Sequence, residues 1–417
     1  MKALKIEGGN KLKGTIRISG AKNSSVALIP AAILADDIVT ICNVPEITDT
    51  DSLGEILDYL GASVRRASES IVIDPRTVFN RPIPIEMARK LRASYYFMGA
   101  LLGKYKHVEM SFPGGCSIGA RPINLHLKGF EALGAKVTQD GDIYIVDAEE
   151  LNGTSIYLDV ASVGATINIM LAAVKAKGTT VIGNAAKEPE IVNVATFLNN
   201  MGAKITGAGT SEIKILGVDT LKGCFHEVIP DRIEAGTYAI IGALAGEELK
   251  ITNVIPEHLE ALISKLIEMG VDIEIGEDYF ILKKGMNYKP VNIKTLVFPG
   301  FPTDLQQPFT ILLTTCNGVS TVEETIWENR FMHIPELEKM GANIQVKGTK
   351  AKIFGPTKLK GANVVATDLR AGAAMVSAAL IAEGQTTISN AEHILRGYEN
   401  IVEKLADVGA KIEILEI

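Results

Sequence analysis

The sequence predicts an α/β protein of two domains, each an inside-out barrel in which sheets enclose buried helices with pseudo-threefold symmetry. Three observations support this fold class. The chain has 417 residues, which exceeds the length that one hydrophobic core usually serves. A helix that ends at glycine and leads into an alternating strand recurs six times, and the helix that opens each recurrence is strongly apolar. We therefore expect six repeats of a βαβαββ type, three in each domain.

The glycines that close these repeats give the clearest signal of internal repetition. Each glycine follows a hydrophobic helix-like run and precedes Ala or Val and an alternating strand. They are Gly61, Gly134, Gly202, Gly270, Gly341 and Gly409. Successive glycines are 73, 68, 68, 71 and 68 residues apart. The C-terminus of a helix favours a left-handed residue, so we expect each glycine to end its helix with a positive φ.

Each repeat opens with an apolar helix, continues into a short strand, and closes with a second helix and an alternating strand. The opening helices are predicted at 23–34, 92–103, 162–176, 234–245, 304–315 and 371–382. In residues 166–174 apolar side chains occupy nearly the whole circumference of the helix, which indicates burial on all sides. Strands are predicted at 38–43, 386–390 and 411–415, among others. Buried helices between strands favour an inside-out barrel over a doubly wound sheet or a solenoid.

The domain boundary is predicted near Pro230, between the third and fourth repeats. The first domain is then 22–229, and the second is discontinuous, with residues 1–21 and 230–417. The strand-like residues 3–7 precede the first repeat and are expected to complete the last one. A cleft between two domains is a common place for a ligand, so we expect the active site there.

The composition excludes several classes of protein. The net charge of −7 argues against general nucleic-acid binding. No apolar run reaches the ~18 residues of a membrane span, and no signal peptide is visible. Four cysteines and six histidines lack the spacing of a zinc site or a disulfide framework. Common phosphate-loop and dinucleotide motifs are absent. We expect a cytoplasmic protein with no metal or organic cofactor.

A glycine-rich stretch from Pro113 to Pro122 lies between a strand-like run and a helix-like run. It holds three glycines, the thiol of Cys116 and the guanidinium of Arg121. Glycines allow close approach to a ligand, and exposure beside a cation makes a thiol reactive. An exposed structural turn with an incidental cysteine explains the stretch equally well. The local sequence leaves both interpretations open.

Charged and polar residues recur in two equivalent positions of the repeats. The start of the opening helix carries Lys22, Asn23, Arg92, Ser162, Asp231, Arg232, Asp304, Asp368 and Arg370. The loop after the first strand carries Cys116, Arg121, Glu188, Glu190, Arg330 and Arg396. Helix N-termini contribute backbone donors and a positive dipole end. This recurrence predicts a site for phosphate or carboxylate groups.

Taken singly, these residues also have ordinary structural explanations. Asp304 fits a first-turn acid, and Lys22, Arg92, Arg121 and Arg396 fit solvated surface charges. The residues with a packing explanation are Cys42, Cys316, His126 and His333.

Eight motifs, spread along essentially the whole chain, closely resemble the UDP-N-acetylglucosamine 1-carboxyvinyltransferases. They are Ser19-Gly-Ala-Lys22-Asn23-Ser, Leu91-Arg92-Ala-Ser, Pro113-Gly-Gly-Cys116-Ser-Ile-Gly-Ala-Arg121-Pro, Ser162-Val-Gly-Ala-Thr, Pro299-Gly-Phe-Pro-Thr-Asp304, Glu328-Asn-Arg330-Phe-Met-His, Asp368-Leu-Arg370-Ala-Gly and Arg396-Gly-Tyr-Glu. The resemblance implies two inside-out α/β domains. It also implies transfer of the enolpyruvyl group of phosphoenolpyruvate to the 3′-hydroxyl of UDP-N-acetylglucosamine, with release of phosphate. This is the first committed step of peptidoglycan biosynthesis.

The resemblance also implies roles for individual residues. Cys116 matches the proton donor, which is also the residue alkylated by fosfomycin, and Asp304 matches the residue proposed to take the hydroxyl proton. The residues that match contacts to phosphoenolpyruvate are Lys22, Asn23, Arg121, Arg330, Arg370 and Arg396. Of these, Lys22 and Arg396 also match residues with a catalytic role. Contacts to UDP-N-acetylglucosamine match Arg92, Arg121, Pro122, Ile123, Asn124, Leu125, Ser162, Val163, Asp304 and Ile326.

Two positions depart from the commonest pattern of this family. Asn124 stands where many members have aspartate, and Val160 stands where some have lysine. We expect altered uridine contacts from the first change and a lost diphosphate contact from the second. A related transferase acting on shikimate 3-phosphate is an alternative, but that family lacks the Gly-Gly-Cys loop. A non-catalytic UDP-sugar-binding regulator is another, disfavoured because the expected acid and base are both present.

Overall fold

The computed structural model describes residues 2–111 and 122–416. These residues form two compact units. The N-proximal unit contains residues 20–111 and 122–229, and the C-proximal unit contains 2–19 and 230–416. In this part of the chain no helix combines the length and the apolarity needed to cross a membrane.

Both units mix helices with single strands and with two or three strands in succession. The strands are β1 (Lys2–Glu7), β2 (Leu12–Arg17), β3 (Val39–Cys42), β4 (Ser63–Ala67), β5 (Ser70–Asp74), β6 (His107–Ser111), β7 (Lys136–Asp140), β8 (Ile143–Asp147), β9 (Ser155–Tyr157), β10 (Thr179–Gly183), β11 (Lys204–Thr206), β12 (Glu212–Leu216), β13 (Phe225–Glu227), β14 (Gly246–Thr252), β15 (Asp272–Ile275), β16 (Tyr279–Lys283), β17 (Ile293–Lys294), β18 (Gly318–Glu323), β19 (Asn343–Lys347), β20 (Lys350–Gly355), β21 (Asn363–Val365), β22 (Gln385–Ser389) and β23 (Lys411–Glu416). The α-helices are α1 (Lys22–Ala31), α2 (Thr48–Tyr59), α3 (Ile85–Ala88), α4 (Tyr96–Tyr105), α5 (Asn124–Ala132), α6 (Val163–Ala173), α7 (Pro189–Asn200), α8 (Arg232–Ala245), α9 (Glu260–Met269), α10 (Thr303–Leu313), α11 (Ile334–Lys339), α12 (Leu369–Ile381), α13 (Glu392–Leu395) and α14 (Ile401–Asp407). Short 3₁₀ segments lie at Ala32–Leu34, Arg92–Tyr95 and Pro256–Leu259.

The N-proximal unit buries α1, α4 and α6 among sheets with strand orders β13-β3-β5-β4, β6-β8-β7 and β11-β12-β10-β9. Helix α6 is buried from Ala165 to Ala173, as its all-round apolar sequence predicts. Helices α4 and α6 pack closely at Gly99, where a β-carbon would lie 2.3 Å from the carbonyl oxygen of Asn168. That distance is far below a van der Waals contact, so only glycine fits this crossing.

The C-proximal unit repeats this arrangement with α8, α10 and α12 in its core. Its sheets have the orders β15-β16-β14-β2, β17-β18-β20-β19 and β21-β22-β1-β23. In five of the six repeats the closing strands form an antiparallel hairpin. The second strand of this hairpin also pairs antiparallel with the strand that follows the opening helix, so it lies in the centre of the sheet. In the sixth repeat β1 occupies that central place, between β22 and β23.

The structure confirms the predicted α/β class and the repeat. All six repeat-closing glycines have positive φ, between 85° and 105°, and each of the six opening helices lies within two to four residues of its predicted bounds. The expectation that residues 3–7 complete the last repeat is also confirmed, because Leu4 pairs with both Ile388 and Ile414. Among the described residues the sheets of each unit are separate sheets of three or four strands.

Candidate functional site

The first turn of α1 in the N-proximal unit carries Lys22 and Asn23. Lys22 Nζ lies 2.9 Å from Oδ2 of Asp49, which is buried in the first turn of α2. A buried charge without a partner is costly, so this pair holds the ammonium in place. The position is also the positive end of the α1 dipole, which suits an anionic ligand. Asp49 was not identified from the sequence.

Arg92 starts the 3₁₀ segment that leads into α4, close to the buried His126. Burial, assisted by the Arg92 charge, lowers the pKa of His126 to about 3. Asn168 Nδ2 donates to His126 Nδ1 at 2.9 Å and to the Tyr95 carbonyl at 3.0 Å. His126 is therefore a neutral packing residue, and the Asn168 amide links α6 to the segment that carries Arg92.

Helix α5 begins at Asn124, immediately after Pro122 and Ile123. Ile123 is buried, Leu125 packs partly against the core, and Pro122 and Asn124 are exposed to solvent. The exposed Asn124 amide is thus available to a ligand that accepts and donates hydrogen bonds. The predicted residues Cys116 and Arg121 lie outside the described residues.

Ser162 and Val163 lie at the N-terminus of α6. The Ser162 hydroxyl accepts a hydrogen bond from the Ala165 N–H at 3.2 Å, so it is the N-cap of this helix. Val160, two residues earlier, is exposed. Its neighbour Asp159 pairs with Lys128 of α5 at 2.8 Å. A lysine ammonium is therefore present in this region despite the valine at 160.

Asp304, Arg330 and Arg370 form one directly bonded group in the C-proximal unit. Arg330 Nη2 lies 2.8 Å from Asp304 Oδ1. Arg370 approaches Asp304 Oδ2 with Nε and Nη2, both at 3.2 Å. The arginine side chains are only 2% and 6% exposed, whereas Asp304 is 26% exposed. Two buried guanidiniums on one carboxylate make a strong, charge-assisted contact. Asp304 is thus more than a first-turn acid.

Arg370 is fixed from several sides. Asp368 is the N-cap of α12 and accepts the N–H groups of Arg370 and Ala371 at 2.8 and 3.0 Å. The Arg370 guanidinium lies 5.3 Å from the ring centre of Tyr398, and the Tyr398 hydroxyl contacts the Thr237 hydroxyl at 2.9 Å. Burial acts to lower the pKa of Arg370, but Tyr398 and Asp304 raise it above its ordinary value. Arg370 is therefore a permanent, immobile cation.

The buried amide of Gln307 holds the backbone beside Arg330. Gln307 Nε2 donates to the Arg330 carbonyl oxygen at 3.1 Å and lies 3.5 Å from Asp368 Oδ2. One side chain of α10 thus contacts both the segment with Arg330 and the cap of the helix with Arg370. The sequence pattern did not single out Gln307, because glutamine in an apolar helix has no distinctive spacing.

Glu324 organises the start of α10 and the turn that contains Ile326. It is buried, and Oε1 accepts from the Thr295 hydroxyl and the Ile326 N–H, both at 2.8 Å. Oε2 accepts from the Thr303 hydroxyl at 2.9 Å. Because Thr303 directly precedes Asp304, the hydrogen bonds of Glu324 hold the chain segments that carry Asp304 and Ile326 next to each other. This residue was also missed from the sequence.

Arg396 directly follows α13 and is half-buried. Its N–H donates to the Glu392 carbonyl oxygen at 3.1 Å, which continues the helical turn. Among residues 2–111 and 122–416, no cluster of three or more His, Cys, Asp or Glu side chains could hold a metal ion.

Three buried histidines predict a loss of stability in acid. Burial lowers the pKa of His126 and His333 to about 3 and that of His226 to about 4. In the unfolded chain their pKa is about 6.5, so below that pH the unfolded state binds more protons. Each histidine should then cost about 2 kcal/mol of unfolding free energy at pH 5. Glu234, whose pKa burial raises to about 6, acts in the opposite direction.

The two units should differ in this response. His126 and His226 belong to the N-proximal unit, whereas Glu234 partly offsets His333 in the C-proximal unit. Trp327, the single tryptophan, reports on the C-proximal unit. Between pH 7 and pH 5 the midpoint of thermal unfolding by circular dichroism, which reports both units, should fall further than the Trp327 fluorescence midpoint. Equal shifts of the two midpoints would contradict this assignment.

Comparison with known proteins places the chain among enolpyruvyl transferases. The family profile described as EPSP synthase (3-phosphoshikimate 1-carboxyvinyltransferase) matches residues 6–405. A UDP-N-acetylglucosamine 1-carboxyvinyltransferase 2 of Geobacillus kaustophilus is 58% identical over 412 residues, 99% of this chain and 96% of that protein. The protein of the same name from Listeria monocytogenes is 57% identical over 407 residues, 98% of this chain and 96% of its own length.

Solved structures share the fold. The enolpyruvyl transferase NikO from Streptomyces tendae superposes with a TM-score of 0.91 at 29% identity, covering 99% of both chains. An EPSP synthase from Acinetobacter baumannii gives a TM-score of 0.77 at 19% identity over 100% of both chains. At that lower identity the likeness concerns the fold alone.

Proposed function

Because this chain belongs to the UDP-N-acetylglucosamine 1-carboxyvinyltransferases, we propose that it transfers the enolpyruvyl group of phosphoenolpyruvate to the 3′-hydroxyl of UDP-N-acetylglucosamine and releases phosphate. The structural observation that carries this proposal is the group of Arg330, Arg370 and Asp304, which joins two buried cations to one carboxylate. The reaction requires cations for an anionic substrate and a proton acceptor beside them. This reaction is the first committed step of peptidoglycan biosynthesis.

The proposed reaction proceeds by addition and elimination. Cys116 gives a proton to C3 of phosphoenolpyruvate, and the sugar 3′-oxygen bonds to C2 while its proton passes to Asp304. The Cys116 thiolate then takes a proton back from C3 of the tetrahedral intermediate, the bond between C2 and the phosphate oxygen breaks, and inorganic phosphate leaves with the proton that Asp304 had accepted. Each proton transfer needs a positioned acid or base, which contributes about 10²–10⁴ to the rate.

Cations are proposed to hold both ends of phosphoenolpyruvate. Arg330 and Arg370, with Arg396, are assigned to the carboxylate, since planar guanidiniums match carboxylates in pairs. The residues assigned to the phosphate side are Lys22, Asn23, Arg121 and Arg396. The Lys22–Asp49 pair and the N-terminus of α1 support this assignment, because they keep a positive charge at a fixed position.

Ten residues are assigned to the sugar nucleotide. They are Arg92, Arg121, Pro122, Ile123, Asn124, Leu125, Ser162, Val163, Asp304 and Ile326. The exposure of Asn124 and the N-capped start of α6 support the assignment on the nucleotide side. We propose that the protein acts in the cytoplasm on these two small molecules. The proposed reaction involves neither nucleic acid nor a membrane.

Phosphate release tests the proposed function. Purified, reduced protein should release phosphate only when phosphoenolpyruvate and UDP-N-acetylglucosamine are both present, without added metal or organic cofactor, in a coupled phosphate assay. Shikimate 3-phosphate is the matched alternative acceptor, because the family profile carries the name of that reaction. Release with shikimate 3-phosphate instead would change the proposed substrate. No release with either acceptor would contradict the proposed activity.

A further inference from the structure

The carboxylate of Asp304 already occupies the two guanidiniums that the proposed function assigns to the substrate carboxylate. Its Oδ1 accepts from Arg330 at 2.8 Å and its Oδ2 from Arg370 at 3.2 Å. A planar carboxylate with one guanidinium on each oxygen is the arrangement that an incoming carboxylate would also adopt. The side chain and the substrate therefore compete for the same donors.

The geometry also indicates which partner can move. Arg370 packs against Tyr398 and starts at a capped helix N-terminus, and Arg330 is buried beside the carbonyl that Gln307 holds. Asp304 is the most exposed of the three side chains. Its backbone is kept in place by the Glu324–Thr303 hydrogen bond, so only rotation of its side chain is needed to leave the arginines.

While Asp304 is bonded to both arginines, its Oδ1 contacts one guanidinium nitrogen and its Oδ2 contacts two. Three of its roughly four acceptor positions are then directed at guanidinium donors and not at a sugar hydroxyl. We propose that the substrate carboxylate displaces Asp304 from Arg330 and Arg370, and that this exchange releases Asp304 to accept the hydroxyl proton. This inference rests on the proposed function, and it adds an order of events. The proton acceptor becomes available only when phosphoenolpyruvate is in place. Proton abstraction from the sugar without its co-substrate is thereby suppressed.

Removal of the competing Asp304 carboxylate should tighten the binding of phosphoenolpyruvate. If Asp304 instead contacted the substrate, its removal would weaken that binding. We compare Cys116→Ser with Cys116→Ser/Asp304→Asn, because the serine slows turnover by about 10²–10⁴-fold during the measurement. Phosphoenolpyruvate is titrated at saturating UDP-N-acetylglucosamine, with the fluorescence of Trp327 as the signal. The Asn variant should bind phosphoenolpyruvate about tenfold more tightly, since one charge-assisted exchange is no longer required.

Inorganic phosphate is the control ligand, because it carries the same sign of charge but is not assigned to this arginine pair. Its affinity should change less than twofold. Asp304→Ser, in the same Cys116→Ser background, is measured in parallel so that the result does not depend on the folding of one variant. Circular dichroism verifies that each variant is folded.

Each outcome has a defined meaning. Equal or weaker binding of phosphoenolpyruvate by the Asp304 variants would overturn the displacement, because substrate and side chain would then share the arginines. An equal gain for phosphate would also overturn it, since only the net charge would matter. Failure of the Cys116→Ser protein, with Asp304 intact, to bind phosphoenolpyruvate would instead contradict the proposed function, which the phosphate-release assay tests separately.

Discussion

Replacing Cys116 with serine should abolish alkylation by fosfomycin and lower turnover by about 10²–10⁴-fold. A hydroxyl is a far weaker nucleophile than a thiolate, so the epoxide ring would not be opened. The same hydroxyl is a poor proton donor to the C3 carbon of phosphoenolpyruvate. Both losses follow if one thiol carries the adduct and the proton. Intact-protein mass spectrometry and the phosphate assay measure them.

Cys224→Ser is the matched control for this experiment. Burial raises the pKa of Cys224, and likewise that of Cys316, to about 11. At pH 7 roughly one such thiol in ten thousand is ionised, so neither should react. Cys224→Ser should therefore keep both turnover and the fosfomycin adduct. An adduct that persists in Cys116→Ser but disappears in Cys224→Ser would refute the assignment.

Replacing Lys404 with methionine should destabilise the C-proximal unit by about 3–5 kcal/mol. Lys404 Nζ donates to Glu234 Oε1 at 2.7 Å and to the Ser19 hydroxyl at 2.6 Å. Glu234, only 4% exposed, also accepts from the Ser19 N–H at 2.8 Å. Without the ammonium, the carboxylate remains buried and uncompensated. The midpoint of urea unfolding, followed by Trp327 fluorescence, measures the loss.

Lys265→Met is the control, because Lys265 pairs with Glu268 in the same unit at the same distance of 2.7 Å but at the surface. An exposed pair of this kind contributes ~0.5 kcal/mol or less. The double variant Lys404→Met/Glu234→Leu should recover much of the lost stability, since it removes both charges. A midpoint for Lys404→Met no lower than that for Lys265→Met would show that the buried pair is not needed.

The repeat could be predicted from the sequence because it depends on local rules. Gly202 and Gly409 end helices, and glycine adopts a positive φ at the lowest energetic cost. Each of these positions can therefore be recognised without knowledge of the rest of the fold. The all-round apolar pattern of α6 likewise predicts its burial. Local rules did not reveal that the six sheets formed by the described residues stay separate, since strand pairing at the sheet edges depends on tertiary geometry.

The candidate site was only partly accessible to the same reasoning. Asp304 and Arg370 were recognised because they begin equivalent helices, and Arg330 because it follows an equivalent strand. Asp49 and Glu324 were missed for a common reason. Each is an ordinary acidic residue whose importance comes from a partner 20 or more residues away, Lys22 in one case and Thr303 in the other. Only the folded chain brings such partners together.

The position of β1 makes the order of synthesis matter for folding. The described residues of the N-proximal unit, 20–111 and 122–229, are all synthesised before residue 230, so this unit can fold while translation continues. The other unit needs strand β1 at the centre of its last sheet, where Lys2 pairs with Glu416 and Glu7 with Lys411. At a translation rate of about 5–20 residues per second, roughly 20 to 80 s pass between the synthesis of β1 and that of β23. During that interval a strand with apolar Leu4 and Ile6 lacks both neighbours, and it is a natural segment for a chaperone to shield.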